Sequence, residues 1–348
     1  MAMNLLALTY FAFNRHKITL FLKVTILFSC IGLVQGLFFN HHDRIFFSHI
    51  YGATVPILGF YFGYTVFKKA EIQVDALIDK LFFYVFYFLF GFMVIYFTLV
   101  KVGVITYFGL SSTLPLFLAY FFARKKYLHV FLAFVAILLS GKRVVLVQSM
   151  VVFLPMIFLF MRGLFREKNN RKRDVMKLFI TLVLVTFAVI FIERLGVLKR
   201  MTDMFSQGWD TAENLYNITA GRSAEFIYAV ISLNESPMKW LIGGGFGNYF
   251  WEPIGSGEMS SFWRMHYSHF SPMHLVLIYG LPFAVFVFLF NLKIFIKALS
   301  LRSNFYANVF LMYFLGSFFG ALMFVDLKYW FFAGAAKFFI DTRLTAND

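Results

Sequence analysis

Charge is what this chain has least of. Only 14% of its 348 residues are Asp, Glu, Lys or Arg, against about 25% in soluble domains. Acidic groups are the scarcest, 17 against 32 basic ones, which leaves a net charge of +15. So few charges exclude an ordinary soluble globular protein. There is one cysteine, Cys30, inside an apolar run. No intramolecular disulfide can form, so any outer loop is held without one. The first apolar run, Leu5 to Phe13, is followed by Arg15-His16-Lys17, with no basic region ahead of it. That order is not the pattern of a cleaved signal peptide, and the first true span is expected to act as its own insertion signal. No repeat period and no low-complexity linker stands out.

What fills the space is hydrocarbon. Hydrophobic residues make up 61% of the chain, and 52 are phenylalanine. That exceeds what one aqueous core of this size can bury, so the bilayer takes the place of the core. A net positive charge would suggest nucleic acid in a soluble protein. In a membrane protein, Lys and Arg crowd the cytoplasmic loops instead, and no nucleic-acid partner is expected.

A membrane-crossing helix needs about 20 mostly apolar residues. Candidate spans fall at 18–39, 45–67, 81–100, 104–122, 128–140, 144–161, 176–195, 270–291 and 305–325, with a short run at 329–340. The expected fold is an all-α polytopic membrane protein of about ten transmembrane helices. Residues 1–348 form one transmembrane helical domain, and 196–269 form one large extracytoplasmic loop. The basic hinges Arg15/Lys17, Lys68/Lys69/Lys80, Arg124/Lys125/Lys126, Arg162 to Lys177 and Lys293/Lys297/Arg302 fall on alternate turns of the chain. They hold more than half of its basic residues, so that side is cytoplasmic by the positive-inside rule. Both termini are then expected in the cytoplasm, and 196–269, Ser140 to Arg143 and His41 to Arg44 outside it.

The 128–140 run is short. Its helix would rise roughly 20 Å, against a hydrocarbon core of about 30 Å. Lys142 and Arg143 would then sit below the outer surface in a protein-lined recess, where a charge marks a functional site. Snorkelling of both side chains to the headgroups is the alternative.

The polar interval from Arg222 to Phe283 organises the rest. Over Arg222 to Leu233, Phe226, Ile227, Val230 and Ile231 share one helical stripe, with Arg222 and Glu225 off it. Such a helix lies in the interface plane. Pro237 ends it, and Trp240 is an expected interfacial anchor. Gly243, Gly244, Gly245 and Gly247 fit neither the dinucleotide fingerprint nor the phosphate loop. They permit positive φ and close approach of a ligand, with a flexible turn as the default. Ser271-Pro272 is expected to cap an inward-running helix whose N-terminus favours an anion. Arg264, His266 and His269 precede it and His274 follows, so a lipid phosphate or diphosphate fits the convergence. The spacing of these histidines lacks Cys or a second ligand motif, and no metal is expected.

These residues resemble the bacterial O-antigen polymerase (Wzy-type) and O-antigen ligase superfamily. Ser140-Gly141-Lys142-Arg143 is similar to its mid-chain arginine motif. Arg222, Pro237, Trp240, Gly243, Gly245 and Gly247 follow the order of its outer loop. His269 and Gly280 keep the spacing of the next motif, while Phe270 and Phe283 depart from it. The resemblance implies a metal-independent glycosyltransferase of the bacterial inner membrane. It needs no cofactor or nucleotide sugar, and it acts on undecaprenyl (polyprenyl) diphosphate-linked oligosaccharide among membrane lipids, with a chain-length regulator as a possible partner. On that reading His269, with His266 as understudy, takes the acceptor proton. Arg143, Arg222, Arg264 and Lys142 bind the diphosphate. A ligase and a flippase or exporter of lipid-linked oligosaccharide are the competing readings.

Overall fold

The structure is a computed structural model. It describes residues 20–40, 42–69, 73–101, 113–140, 145–146, 148–153, 222–254, 261–265, 268, 270–301, 304–318 and 326–345, with isolated positions at 155, 183 and 186. The helices are α1 Leu20–Phe39, α2 Arg44–Lys69, α3 Gln73–Lys101, α4 Leu114–Ala123 and α5 Tyr127–Leu139. After them come α6 Arg222–Asn234, α7 Pro237–Ile242, α8 Ser271–Tyr279, α9 Leu281–Ala298, α10 Phe305–Gly316 and α11 Leu327–Thr345. Between α7 and α8, β1 Phe250–Ile254 pairs antiparallel with β2 Ser261–Met265. The protein is therefore mostly helical, with a small hairpin that the sequence reading did not foresee.

Among the described residues four helices are long and apolar enough to cross a membrane: Leu20–Phe39, Arg44–Phe67, Ala76–Leu99 and Leu281–Ala298. Each falls within or beside an expected span. All of the expected 176–195 span but positions 183 and 186, and half of 144–161, lie outside the described residues. The chain forms two compact units, one of residues 1–68, 207–301 and 317–348, the other of 69–206 and 302–316.

In the first unit, α1, α2, α8, α9 and α11 enclose an aromatic core. Phe21 stacks on Phe290 at 4.2 Å and on Trp330 at 5.1 Å between ring centroids. Two helices meet there at their backbones. A Cβ on Gly63 would stand 2.0 Å from the Phe331 carbonyl oxygen, and one on Gly334 2.1 Å from that of Phe60. Gly59 and Gly63 are a G-x-x-x-G pair, the small-residue spacing that lets membrane helices touch. At the far end of the same contact the Tyr64 hydroxyl donates to Asp341, which Lys337 also holds.

The expected 270–291 span is not one helix. It breaks at Gly280, whose φ is 87°, and Pro282 restarts it as α9. Glycine supplies the left-handed conformation that ends α8, and proline is pre-set for the first turn of the next helix. The start of α8 also differs from expectation. Phe270, in extended conformation, is the N-cap, and Ser271 is already helical. The Ser271 N–H donates to the Phe318 carbonyl at 3.1 Å, and its hydroxyl to that of Ser317 at 2.8 Å. The helix start is thus tied to protein, not offered as an anion site.

In the second unit, α4 and α5 form an antiparallel pair closed by a turn with Lys125 at φ 56°, and α10 packs on α4. The short helix α5 agrees with the short 128–140 run, and Ser140 after it is buried at 6% exposure. One polar cluster pins α3 to α4. Asp79 accepts from the Tyr120 hydroxyl and, at 2.9 Å, from Arg124 Nε. The Arg124 guanidinium also lies 3.9 Å over the Phe305 ring. Burial alone would lower the Arg124 pKa; Asp79 together with Tyr120 and Tyr306 outweighs it and holds the group above its ordinary value. Asp79→Ala removes the acceptor shared by two donors. It is expected to destabilise the protein by about 2 kcal/mol, after allowance for partial exposure. Thermal unfolding in detergent checks this, and an unchanged transition would count against the pin.

Candidate functional site

The polar segment that begins at Arg222 is joined to the helices through its glycines. Gly243, Gly245 and Gly247 have φ of 76°, 75° and 84°. Each is a conformation that a side chain disfavours. The turn they make is not flexible, because its backbone groups are taken up by neighbours. The N–H of Gly244 donates to the Leu277 carbonyl at 2.9 Å, and that of Gly245 to Ile278 at 3.1 Å. Phe246 N–H donates to Gly32 at 2.9 Å. Asn40 Nδ2 donates to the carbonyls of Gly244 and Phe246, at 2.8 and 2.9 Å. Asn248 Nδ2 reaches the Leu277 carbonyl at 3.0 Å.

The close approach that these glycines permit is to protein backbone. A Cβ on Gly243 would lie 2.2 Å from the Ile278 oxygen, and one on Gly280 2.3 Å from the Leu241 oxygen. The two glycines therefore face each other's strand of backbone across one crossing. Gly280 kept the motif spacing in the sequence; here it lets the broken span touch the end of α7. On the other side α1 offers a notch made by Gly32 and Gly36. A Cβ on Gly36 would stand 2.4 Å from the Phe246 oxygen, so Phe246 seats there only because the helix carries glycine.

His49 completes the seat. It lies within the expected 45–67 span and is buried, at 2% exposure. Its Nδ1 accepts the Gly247 N–H at 3.0 Å. A backbone N–H can only donate, so this nitrogen carries no proton and the other one does. The His274 ring, 1% exposed, lies edge-on to it with centroids 6.0 Å apart. Two imidazoles are thus enclosed under the glycine turn. A hydrophobic stretch around His49 hid this role, and only the contact with Gly247 reveals it. Asn40 was missed as well, since a single Asn after a span reads as a helix stop.

The expected site residues are placed unevenly. Arg222 opens α6, and Arg264 stands opposite Trp251 in the hairpin register. Because α6 packs on β1, their backbones belong to one cluster of three elements. Lys142, Arg143, His266 and His269 lie outside the described residues. No group of three or more His, Cys, Asp and Glu suited to a metal occurs among the described residues.

The elements that matter here are local in cause. Ser236 accepts the Met238 N–H at the start of α7, and Pro237 takes the first helical position. Trp240 Nε1 donates to Asn234 Oδ1 at 3.0 Å, which folds α7 back against the end of α6. The interfacial anchor expected at Trp240 is therefore also a tie between the two helices. Comparison with protein-family models, curated proteins and solved structures finds no match to this chain.

Proposed function

We propose that this chain is a membrane glycosyltransferase of the O-antigen polymerase type. It would transfer a polyprenyl-diphosphate-linked glycan onto a new lipid-linked repeat unit outside the cytoplasm of a bacterium. The observation that carries the proposal is the docking of the polar 222–270 segment onto apolar helices through the glycine turn. This brings the backbones of Arg222 and Arg264 into one cluster, and His266 and His269 follow Arg264 closely in the sequence.

In this reading the acceptor hydroxyl oxygen attacks the anomeric carbon of the donor glycan. His269 accepts the hydroxyl proton, and the bond from carbon to diphosphate oxygen breaks, with the electron pair leaving on polyprenyl diphosphate. Arginine binds the developing charge bidentately, so Arg222 and Arg264 take the diphosphate in this reading. No metal and no nucleotide sugar enters the step, and the diphosphate ester supplies the driving force.

One observation favours an exporter of lipid-linked oligosaccharide as the second reading. Transporters build sites at interrupted helices and at polar groups inside the bundle. The first unit has a break at Gly280, and Asn291, His49 and His274 are buried within its helices.

A glycan ladder separates these readings. In cells lacking the gene, surface polysaccharide resolved by size is expected to collapse to one repeat unit, and a His269→Ala copy is expected not to restore long chains. Long chains stranded on polyprenyl diphosphate would instead indicate a ligase. An unaltered ladder, or full restoration by His269→Ala, would remove the polymerase assignment.

A further inference from the structure

The amphipathic helix of the outer segment is turned inside out. Its apolar stripe does not face the protein: Phe226, Ile227 and Ile231 are 44%, 53% and 53% exposed. The side that packs inward carries Glu225 and Ser232, at 3% and 6% exposure, beside Ala229 and Leu233, both at 0%. In water this arrangement leaves large apolar side chains wet. It is favourable only if what lies outside is as apolar as the stripe.

The exposed apolar surface does not stop at α6. It continues over Met238 and Leu241 of α7, at 56% and 54%, and over Trp251 of β1 and Phe270, at 52% and 41%. It also joins a candidate membrane span. The Leu241 carbonyl lies against Gly280, the residue before α9, and the face of α9 that begins there exposes Leu281, Val285 and Leu289 at 46%, 45% and 54%. That face belongs to a helix long and apolar enough to cross a bilayer. Leu241 therefore stands level with the first turn of that span.

We propose that α6, α7 and β1 form a cap half-immersed in one leaflet, with hydrocarbon covering the stripe, and not a loop bathed in water. The occupant is lipid because the patch is a continuation of the lipid-facing side of α9. The cap keeps its polar groups, Glu225 and Ser232, on its underside. A lipid-borne substrate would then approach the cap sideways, through the leaflet that holds its tail. The immersion rests on the membrane character of the chain alone. The sideways path rests additionally on the proposed glycosyltransferase activity.

The test uses the full chain in nanodiscs of phosphatidylethanolamine and phosphatidylglycerol. In a Cys30→Ser background, single spin labels are placed by Ile231→Cys, Leu241→Cys, Val285→Cys and Glu235→Cys. All four positions are surface positions, and two independent ones lie on the cap. At Ile231 and Leu241, collisions with oxygen are expected to outnumber those with a water-soluble nickel chelate, as at the lipid-facing Val285. Glu235, an exposed polar residue beyond the stripe, is expected to give the reverse. Chelate collisions dominating at both cap sites would overturn the immersion. Labels immobile and shielded from both reagents would also overturn it, because a second copy or another protein would then be the cover. These outcomes are independent of the glycan ladder, so failure of the glycosyltransferase reading would leave the immersion standing.

Discussion

Gly280→Ala is expected to be among the most damaging single substitutions in the first unit. Alanine at φ 87° carries backbone strain of about 1–3 kcal/mol. The larger effect is steric. The new methyl carbon would lie 2.3 Å from the Leu241 carbonyl oxygen and 2.4 Å from its carbon, and neither is the end of a flexible side chain. Relief requires separating the broken span from the end of α7. That separation costs the hydrogen bonds of Gly244 and Gly245 to Leu277 and Ile278 as well. The total approaches the whole stability of a typical domain, about 5–15 kcal/mol. The measurement is the yield of monodisperse protein in mild detergent, with its thermal transition. Recovery near the unmodified level would show that the crossing of Gly243 and Gly280 is loose. Gly91, with nothing within 4 Å of an added Cβ, is the internal control. Gly91→Ala is expected to change nothing, or to stabilise slightly through helix propensity.

Gly63→Leu is expected to have a comparable effect on the pairing of α2 with α11. The Gly63 position admits no Cβ, since Phe331 backbone atoms lie 2.0, 2.8 and 2.9 Å from where one would be. An isobutyl group there pushes the helices apart. Gly334 against Phe60, Trp330 against Gly59 and the Tyr64–Asp341 hydrogen bond would all open with it. Gly63→Ala should give a smaller version of the same loss, because one carbon demands less separation. The pair is read by disulfide trapping in the Cys30→Ser background. Cysteines placed at positions 62 and 331, whose rings lie 5.7 Å apart, should cross-link in the parent and fail to do so with Gly63→Leu. Efficient cross-linking in the Gly63→Leu variant would mean that the helices tolerate the side chain.

The sequence made the membrane class and the four long helices visible because hydrocarbon content and length are additive properties of a run. It did not make the break at Gly280 visible by that route. The 270–291 stretch is apolar throughout, and a window that averages hydropathy is blind to one φ angle. Gly280-Leu281-Pro282 did carry the signal, a helix end followed at once by a helix start. The G-x-x-x-G spacing at Gly59 and Gly63 was likewise present in the sequence. The hairpin was not readable in the same way. Its strands contain Pro253 and no clean alternation, and it survives as a two-stranded unit packed on α6.

For the candidate site, the polar interval stood out in the sequence as a segment, and its glycines were singled out. Their task was misjudged, since close approach was assigned to a ligand and belongs to the helices. His49 was out of reach for a different reason. Nothing local distinguishes a histidine facing lipid headgroups from one that accepts a hydrogen bond from a residue 198 positions away. The amphipathic period of α6 gave the stripe, yet period alone does not say which side the protein takes.

The glycine notch of α1 also sets a timetable. Asn40 waits for carbonyls 204 and 206 residues later in the chain, and Tyr64 for a carboxylate 277 residues later. Contacts so distant in sequence form late, because the loop-closure entropy must be met before they give anything back. Helices α1 and α2 therefore leave the ribosome with their contact surfaces bare: a glycine groove on α1 and a small-residue face on α2. Throughout synthesis those surfaces are open to other helices, and to whatever machinery surveys nascent membrane proteins for unpaired faces. A chain stopped before α11 would keep α2 uncovered for good, so a premature stop late in the gene should mark the product for degradation as surely as one near its start.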